Sequence, residues 1–496
     1  MSRYIYGKAD MLPTLLSDVS SCLRDPRRRV INICVLLFAL FLPFNAFGFT
    51  LSGFVFQFKA TKVLLLLGFV LWMRLVVKKQ TKVMRAPGLY FFLGLVALAN
   101  FTSVLGAADV RQSLILALLM VPYSLLVFFL TNVLRDRHLL RASLACLAVD
   151  SFILGVHSLA IYLKNDLVFH TRFQHSIVGN EIAQYLAYAL ILCGAGLLAV
   201  YLREKHAPTR VLLGAGICLW LFVSILPAVK IFHLVTMVFF LLLIFLLPAR
   251  EKIPAGVFFL VFIVCFVFLL NIVTIRNFFI LKRQQTMQAA ALVHPGETGA
   301  PSPPDLIVVD TTANAVKNRW AAPMVAGSFE IRARGVLAGI VMGLDHPFLG
   351  IGIGETARFF DGYSERVRNK ALDENFLPWL PLRERILNKA AMPHSVTSIF
   401  NIFINAFAET GLPGFIGLIG LVCVIIGSCV SNLKKAVWLR HKDDYVLPVF
   451  FSLFVGLLLG HQTFYLWMHP WLWTVMSITY AASRKDNACE SRGEKV

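Results

Sequence analysis

Acidic residues are scarce in this chain: 27 aspartates and glutamates stand against 47 lysines and arginines, and charged residues make up only 15% of the 496. An ordinary soluble domain carries about 25% charged residues, so a charge-solvated globular surface is excluded. Cysteine is used sparingly too. The nine, at 22, 34, 146, 193, 218, 265, 423, 429 and 489, fall in apolar runs or beside basic connections, which implies neither a disulfide framework nor zinc spacing. There is no P-loop, no pair of histidines spaced for a zinc protease and no acidic cluster suited to a metal, so neither metal nor cofactor is expected. A fixed-period repeat is also missing, which argues against a solenoid and against an inverted-repeat transporter.

What remains is apolar. The chain is 58% hydrophobic with a mean hydropathy of +0.73, the composition of an all-α, polytopic membrane protein. Runs near the roughly 20 residues that cross a bilayer lie at 31–49, 60–77, 87–106, 112–132, 139–163, 180–202, 211–227, 229–248, 253–274, 396–430 with an internal break, 446–464 and 467–482. That predicts about twelve spans.

A formal charge of +20 in a soluble chain would suggest nucleic acid, but here the basic residues follow topology, and no nucleic-acid partner is expected. With the segment 1–29 on the cytoplasmic side, alternate connections carry the basic clusters: Lys78, Lys79, Lys82 and Arg85; Arg135, Arg137 and Arg141; Arg203, Lys205 and Arg210; Arg250 and Lys252; Lys434, Lys435, Arg440 and Lys442. The first run is read as a retained span, because no small-residue cleavage site follows it. The resulting organisation has nine spans over 30–274, an outer loop over 275–395, three further spans over 396–483 and a cytoplasmic tail over 484–496. Merging 211–227 with 229–248 would reverse the sidedness of everything after them.

The outer loop is the only soluble-sized piece. Its first part, rich in Ala, Gly and Pro, reads as flexible or peripheral. From Ser328 the apolar residues Ile331, Val336, Leu337, Ile340, Val341 and Leu344 recur at helical spacing and predict an amphipathic helix along the membrane surface, ended by Asp345, His346 and Pro347. Gly350, Gly352 and Gly354 then permit close approach to a ligand or to another helix. The charged stretch after them predicts one or two short helices.

His394 stands behind Pro393 at the predicted outer start of the tenth span. A neutral imidazole there can take a proton from a hydroxyl, or can simply cap the helix. Arg332 and Arg334 open the amphipathic helix, where guanidinium groups fit either diphosphate oxygens or lipid phosphates. Lys230 offers a second cation or an interfacial anchor. Arg172, His175 and Asn180 lie in the loop before the sixth span and read as water-boundary residues. Asp150 and Glu409 fall inside spans, where a carboxylate must be paired, protonated or facing a wet cavity. A continuous helix would separate His394 from Glu409 by roughly 22 Å, which argues against direct His–Glu catalysis. Glu409 is instead expected to satisfy polar groups at the GLPG break, where Pro413 removes a helix hydrogen bond.

Three stretches resemble the O-antigen ligase and O-antigen polymerase superfamily of bacterial envelope glycosyltransferases. The strongest is PHSVTSIFNIFINAFAETGLPG, similar to that family's histidine, apolar run and E-x-G-x-x-G pattern. IRARGVLAGIVMGLDHPFLGIGIGE resembles its arginine-led helix and G-x-G turn, and VGNEIAQYLAYAL an Asn-led sixth span. The resemblance implies a GT-C-like fold in the bacterial inner membrane. It also implies transfer of a glycan from undecaprenyl diphosphate, at the periplasmic face and without a metal, to lipid A–core (a ligase, in lipopolysaccharide biosynthesis) or to another lipid-linked repeat (a polymerase of O-antigen, capsule or exopolysaccharide).

By that resemblance His394 takes the place of the catalytic histidine and Arg332 that of the loop arginine. Arg332, Lys230, Arg334 and Arg172 become the candidate diphosphate-binding residues, and Glu409, Gly352, Gly354 and Asn180 structural neighbours of the site. The family often carries Ser-Arg-Gly before the large loop, and Val229-Lys230 departs from it. The alternative of another class is a lipid-linked glycan flippase or transporter, which predicts polar residues spread through several spans.

Overall fold

The computed structural model describes residues 11–43, 48–50, 57–164, 183–225, 230–268, 326–372, 399, 401–434, 445–460 and 470–484. They form helices α1 (Met11–Arg24), α2 (Arg29–Phe41), α3 (Ala60–Val77), α4 (Pro87–Thr102), α5 (Val110–Val133), α6 (Arg137–Lys164), α7 (Ala183–Arg203), α8 (Ala207–Ile225) and α9 (Lys230–Leu246). After α10 (Ala249–Phe268) come α11 (Ala326–Asp345), α12 (Thr356–Leu372), α13 (Ile402–Lys434), α14 (Val446–Gly460) and α15 (Pro470–Ser483). Six of the helices are long and apolar enough to cross a membrane: Pro87–Gly106, which runs on through a short 3-10 turn, α5, α6, α8, α10 and α13. Four shorter apolar stretches, Arg29–Phe41, Ala187–Arg203, Phe232–Leu246 and Val446–Gly460, accompany them.

Two expectations are corrected. The apolar run 31–49 is not one helix: α2 stops at Phe41, and Gly48–Thr50 pairs antiparallel with Gln57–Lys59, Phe49 opposite Phe58, just before α3. Leu42 is still helical at φ −57° and ψ −42°, but Pro43 has no amide to donate, so the hydrogen-bond ladder cannot continue through it. The all-α reading therefore holds apart from this ribbon. The run from 396 also starts too early, because α13 begins at Ile402. Asn401 sets that start by accepting the amides of Phe403 and Ile404 on its side-chain oxygen at 2.9 and 3.0 Å, the geometry of an N-cap. The separate runs 211–227 and 229–248 correspond to two helices, α8 and α9.

One apolar core runs through the bundle, with Trp220, Trp473, Tyr480, Phe239 and Phe454 among its largest buried side chains. In it α6 packs on α7, α9 on α14, α5 on α15 and α4 along α13. At one end of the bundle α1 is pinned by Asp18, which pairs with His138 at 2.7 Å and Arg203 at 3.3 Å. A second, smaller core of Met342, Ile351, Phe360, Ile399 and Ala408 joins α11, α12 and the first turns of α13. That second core underlies the candidate site.

Candidate functional site

The site is built where the chain leaves α11. The helix ends at Asp345, and the next turn closes through the His346 amide on the Met342 carbonyl at 3.0 Å and the Gly350 amide on the His346 carbonyl at 2.9 Å. Gly350, Gly352 and Gly354 then take φ of 69°, 99° and 81°, a region that costs most L-residues about 1–2 kcal/mol. Space is an equal constraint. A Cβ on Gly350 would overlap the peptide between Glu409 and Thr410, so the loop lies backbone to backbone on α13.

What it lies on is a break in that helix. Gly411, at φ 68° and ψ −165°, leaves helical conformation, and Pro413 has no amide to donate. In an unbroken helix the carbonyl of Ala408 would accept from Leu412 and that of Glu409 from residue 413. The loop replaces both donors. Ile351 donates to the Ala408 carbonyl at 2.9 Å and Gly352 to the Glu409 carbonyl at 3.1 Å, while the Leu412 amide turns to the Pro347 carbonyl at 2.7 Å. The expected break is therefore centred two residues before Pro413, at Gly411, because only the glycine can take the left-handed conformation; the proline's part is to withhold a donor.

Side chains complete the joint. Thr356, the first residue of α12, donates its hydroxyl to Glu409 Oε1 at 2.8 Å and lies 3.4 Å from Asn405 Oδ1. All three are buried. The buried Glu355 accepts the Asp109 amide at 3.2 Å, and Ser113 at the start of α5 donates to the Ile353 carbonyl at 2.9 Å. Outside the spans, Asp345 at the end of α11 forms an ion pair with Arg366 of α12. Burial and the neighbouring Asp345 push the Tyr363 phenol above its usual range, with Arg366 opposing.

The predicted residues divide accordingly. Gly352, Gly354 and Glu409 meet in this joint, and the glycines make their close approach to helices α13 and α5. Arg334 is buried on α11. Arg332 sits in the second turn of the same helix and Lys230 is the first residue of α9. Arg172, His175, Asn180 and His394 lie outside the described residues. Thr356, Glu355, Asn405 and Ser113 were not singled out by sequence reasoning; the one visible signal was the Glu-Thr pair directly after the glycine series.

No curated protein matches the chain. The O-Antigen ligase family matches residues 230–419, an interval that opens at Lys230, takes in Arg332, the glycine loop and His394, and closes just beyond the break in α13. Over that interval the chain is similar to the O-Antigen ligase family, and its apolar helices are those of a multi-pass membrane protein.

Proposed function

We propose that the chain is an O-antigen ligase-like glycosyltransferase, moving a glycan from undecaprenyl diphosphate to a hydroxyl of lipid A–core at the periplasmic face of the bacterial inner membrane. The observation that carries this reading is the family match over 230–419, which holds the proposed base and the proposed diphosphate ligand in one stretch. The arrangement of about twelve spans with an outer loop over 275–395 rests on the apolar runs and the alternation of basic connections, and the GT-C-like fold on the resemblance to the family.

In the proposed reaction His394 takes the proton of the acceptor hydroxyl as its oxygen attacks the anomeric carbon. The bond from that carbon to the diphosphate oxygen breaks, and undecaprenyl diphosphate leaves with its new negative charge matched by Arg332 and, beside it, Lys230, Arg334 or Arg172. The leaving group is good once its charge is paired, so the step needs no metal, cofactor or nucleotide sugar. Membrane lipids surround the protein, and the prenyl tail stays among them throughout.

Reconstitution of the purified chain with an undecaprenyl-diphosphate glycan and lipid A–core tests the reading. A single glycan joined to lipid A–core is the expected product. Lengthening of the donor itself would instead assign a polymerase of O-antigen, capsule or exopolysaccharide repeats, and movement of donor across the membrane without transfer would assign a flippase. His394→Ala is expected to lower turnover by about 100-fold or more; wild-type turnover would remove the base. Arg332→Ala is expected to fold and to turn over much more slowly, and full activity would place the diphosphate elsewhere.

A further inference from the structure

The structure assigns Thr356 and Glu409 as a positioning pair that sets the helix bearing Arg332 against the helix that follows His394. This assignment rests on the proposed reading of those two residues and deepens it. Arg332 lies on α11 and His394 stands eight residues before Ile402, the first residue of α13, in the sequence, and these two helices are far apart along the chain. Their relation is set where the chain leaving α11 touches the break in α13. Three backbone hydrogen bonds make that contact, and it is backed by packing of Gly339 against Ile399 and Ile404 and of Gly343 against the Phe407 ring.

Backbone contacts of this kind join the two elements but leave an orientation to be chosen, because α12 continues from the loop as a lever. The Thr356 hydroxyl fastens the first residue of α12 to Glu409 at 2.8 Å, in a place where both residues are buried at 5% and 2% exposure. Burying a carboxyl and a hydroxyl is costly unless each is satisfied by the other, and a Val–Leu pair would fill the same volume without that cost. A directional bond is retained where an apolar contact would serve packing alone. Glu355, next in the chain, carries the same fastening to the Asp109 amide before α5, so the joint is held from two sides. Neither Thr356 nor Glu409 needs to touch substrate for this role. Their effect is on the alignment of base and diphosphate ligand, where misplacement by about 1 Å can cost about 100-fold in rate.

The test is a kinetic and exchange comparison of full-length variants in the reconstituted transfer assay. Thr356→Val and Glu409→Leu are each expected to lower kcat by about 10-fold or more, with donor KM changed less than about 2-fold. The double variant should fall no more than about 2-fold below the worse single variant, since both remove one bond. Thr356→Ser, which keeps the hydroxyl, and Glu409→Gln, which keeps an acceptor oxygen, should each retain at least about a third of wild-type kcat. Amide exchange over 350–356 should accelerate in the Val and Leu variants while α6 and α7 keep their protection. Wild-type kcat in Glu409→Leu, additive losses, or a Ser or Gln variant as slow as Val would overturn the assignment. Should Thr356→Val fail to fold, Glu409→Leu decides, because leucine is at home in an apolar helix. His394→Ala run in parallel separates the two failures: a fully active His394→Ala removes the proposed base, whereas an inactive one beside normal Thr356 and Glu409 variants removes only the positioning pair.

Discussion

Glu409 and Asp150 are both carboxylates buried inside apolar helices, at 2% and 0% exposure, yet their surroundings differ in kind. Glu409 receives a hydroxyl bond from Thr356 on Oε1, at a joint where the loop after α11 and α13 exchange backbone hydrogen bonds. Asp150 lies on α6 near Cys146 and Cys193, and neither of its oxygens has a hydrogen-bond partner among the described residues. Around it α6, α7 and α8 fit by shape: Gly216 makes room for the Phe152 ring and Gly194 for Trp220. The joint is specified by direction and the bundle by volume. Close helix approach over small residues is the usual way to pack within a bilayer, whereas irregular backbone in an apolar setting survives only if its polar groups are met by protein.

The largest test of this contrast is at the glycines of the joint. Gly350→Ala and Gly411→Ala each force a Cβ into a neighbouring backbone at positive φ, and each is expected to cost at least about 2 kcal/mol and most of the transfer activity. A thermal melt in detergent together with the transfer assay reads both effects, and near-normal behaviour would mean the backbone exchange is dispensable. Gly194→Ala pushes a methyl into the Trp220 ring and should destabilise by about 1–3 kcal/mol, while folded protein keeps its KM. If that variant lost KM as well, bundle and joint would not be separable. Ser113→Ala removes the donor to the Ile353 carbonyl and should lower stability by about 1 kcal/mol, measured in the same melt. Smallest of all is Asp150→Asn, expected to leave turnover within about 2-fold, since nothing at the joint depends on it; a 10-fold loss in the transfer assay would turn Asp150 into a functional acid and erase the comparison.

Most of the helices were legible, because composition and length suffice to find apolar spans: the runs 60–77 and 87–106 coincide with Ala60–Val77 and Pro87–Gly106. The ends of elements were harder. Pro43 cut the first run short, and the Asn401 cap moved the start of α13 six residues past the expected 396, which removes the unbroken helix on which the 22 Å estimate between His394 and Glu409 depended. At the site, the glycine series announced a close approach without naming what is approached. Its partners are remote in the chain: Thr356 and Glu409 are 53 residues apart, and Asp109 and Glu355 are 246 apart. No local periodicity encodes such pairings, and a threonine or a serine looks the same in sequence whether it joins two helices or faces water.

The exchanged carbonyls at Ala408 and Glu409 also bear on how the protein is made. Until the segment 347–352 is in place, α13 holds two carbonyls and one amide, that of Leu412, with no helical partner, and in a lipid setting each such group costs several kcal/mol. The break therefore cannot settle among acyl chains by itself. Synthesis delivers the loop first, since it precedes α13 in the chain, so the order of translation supplies the partner before the helix that requires it.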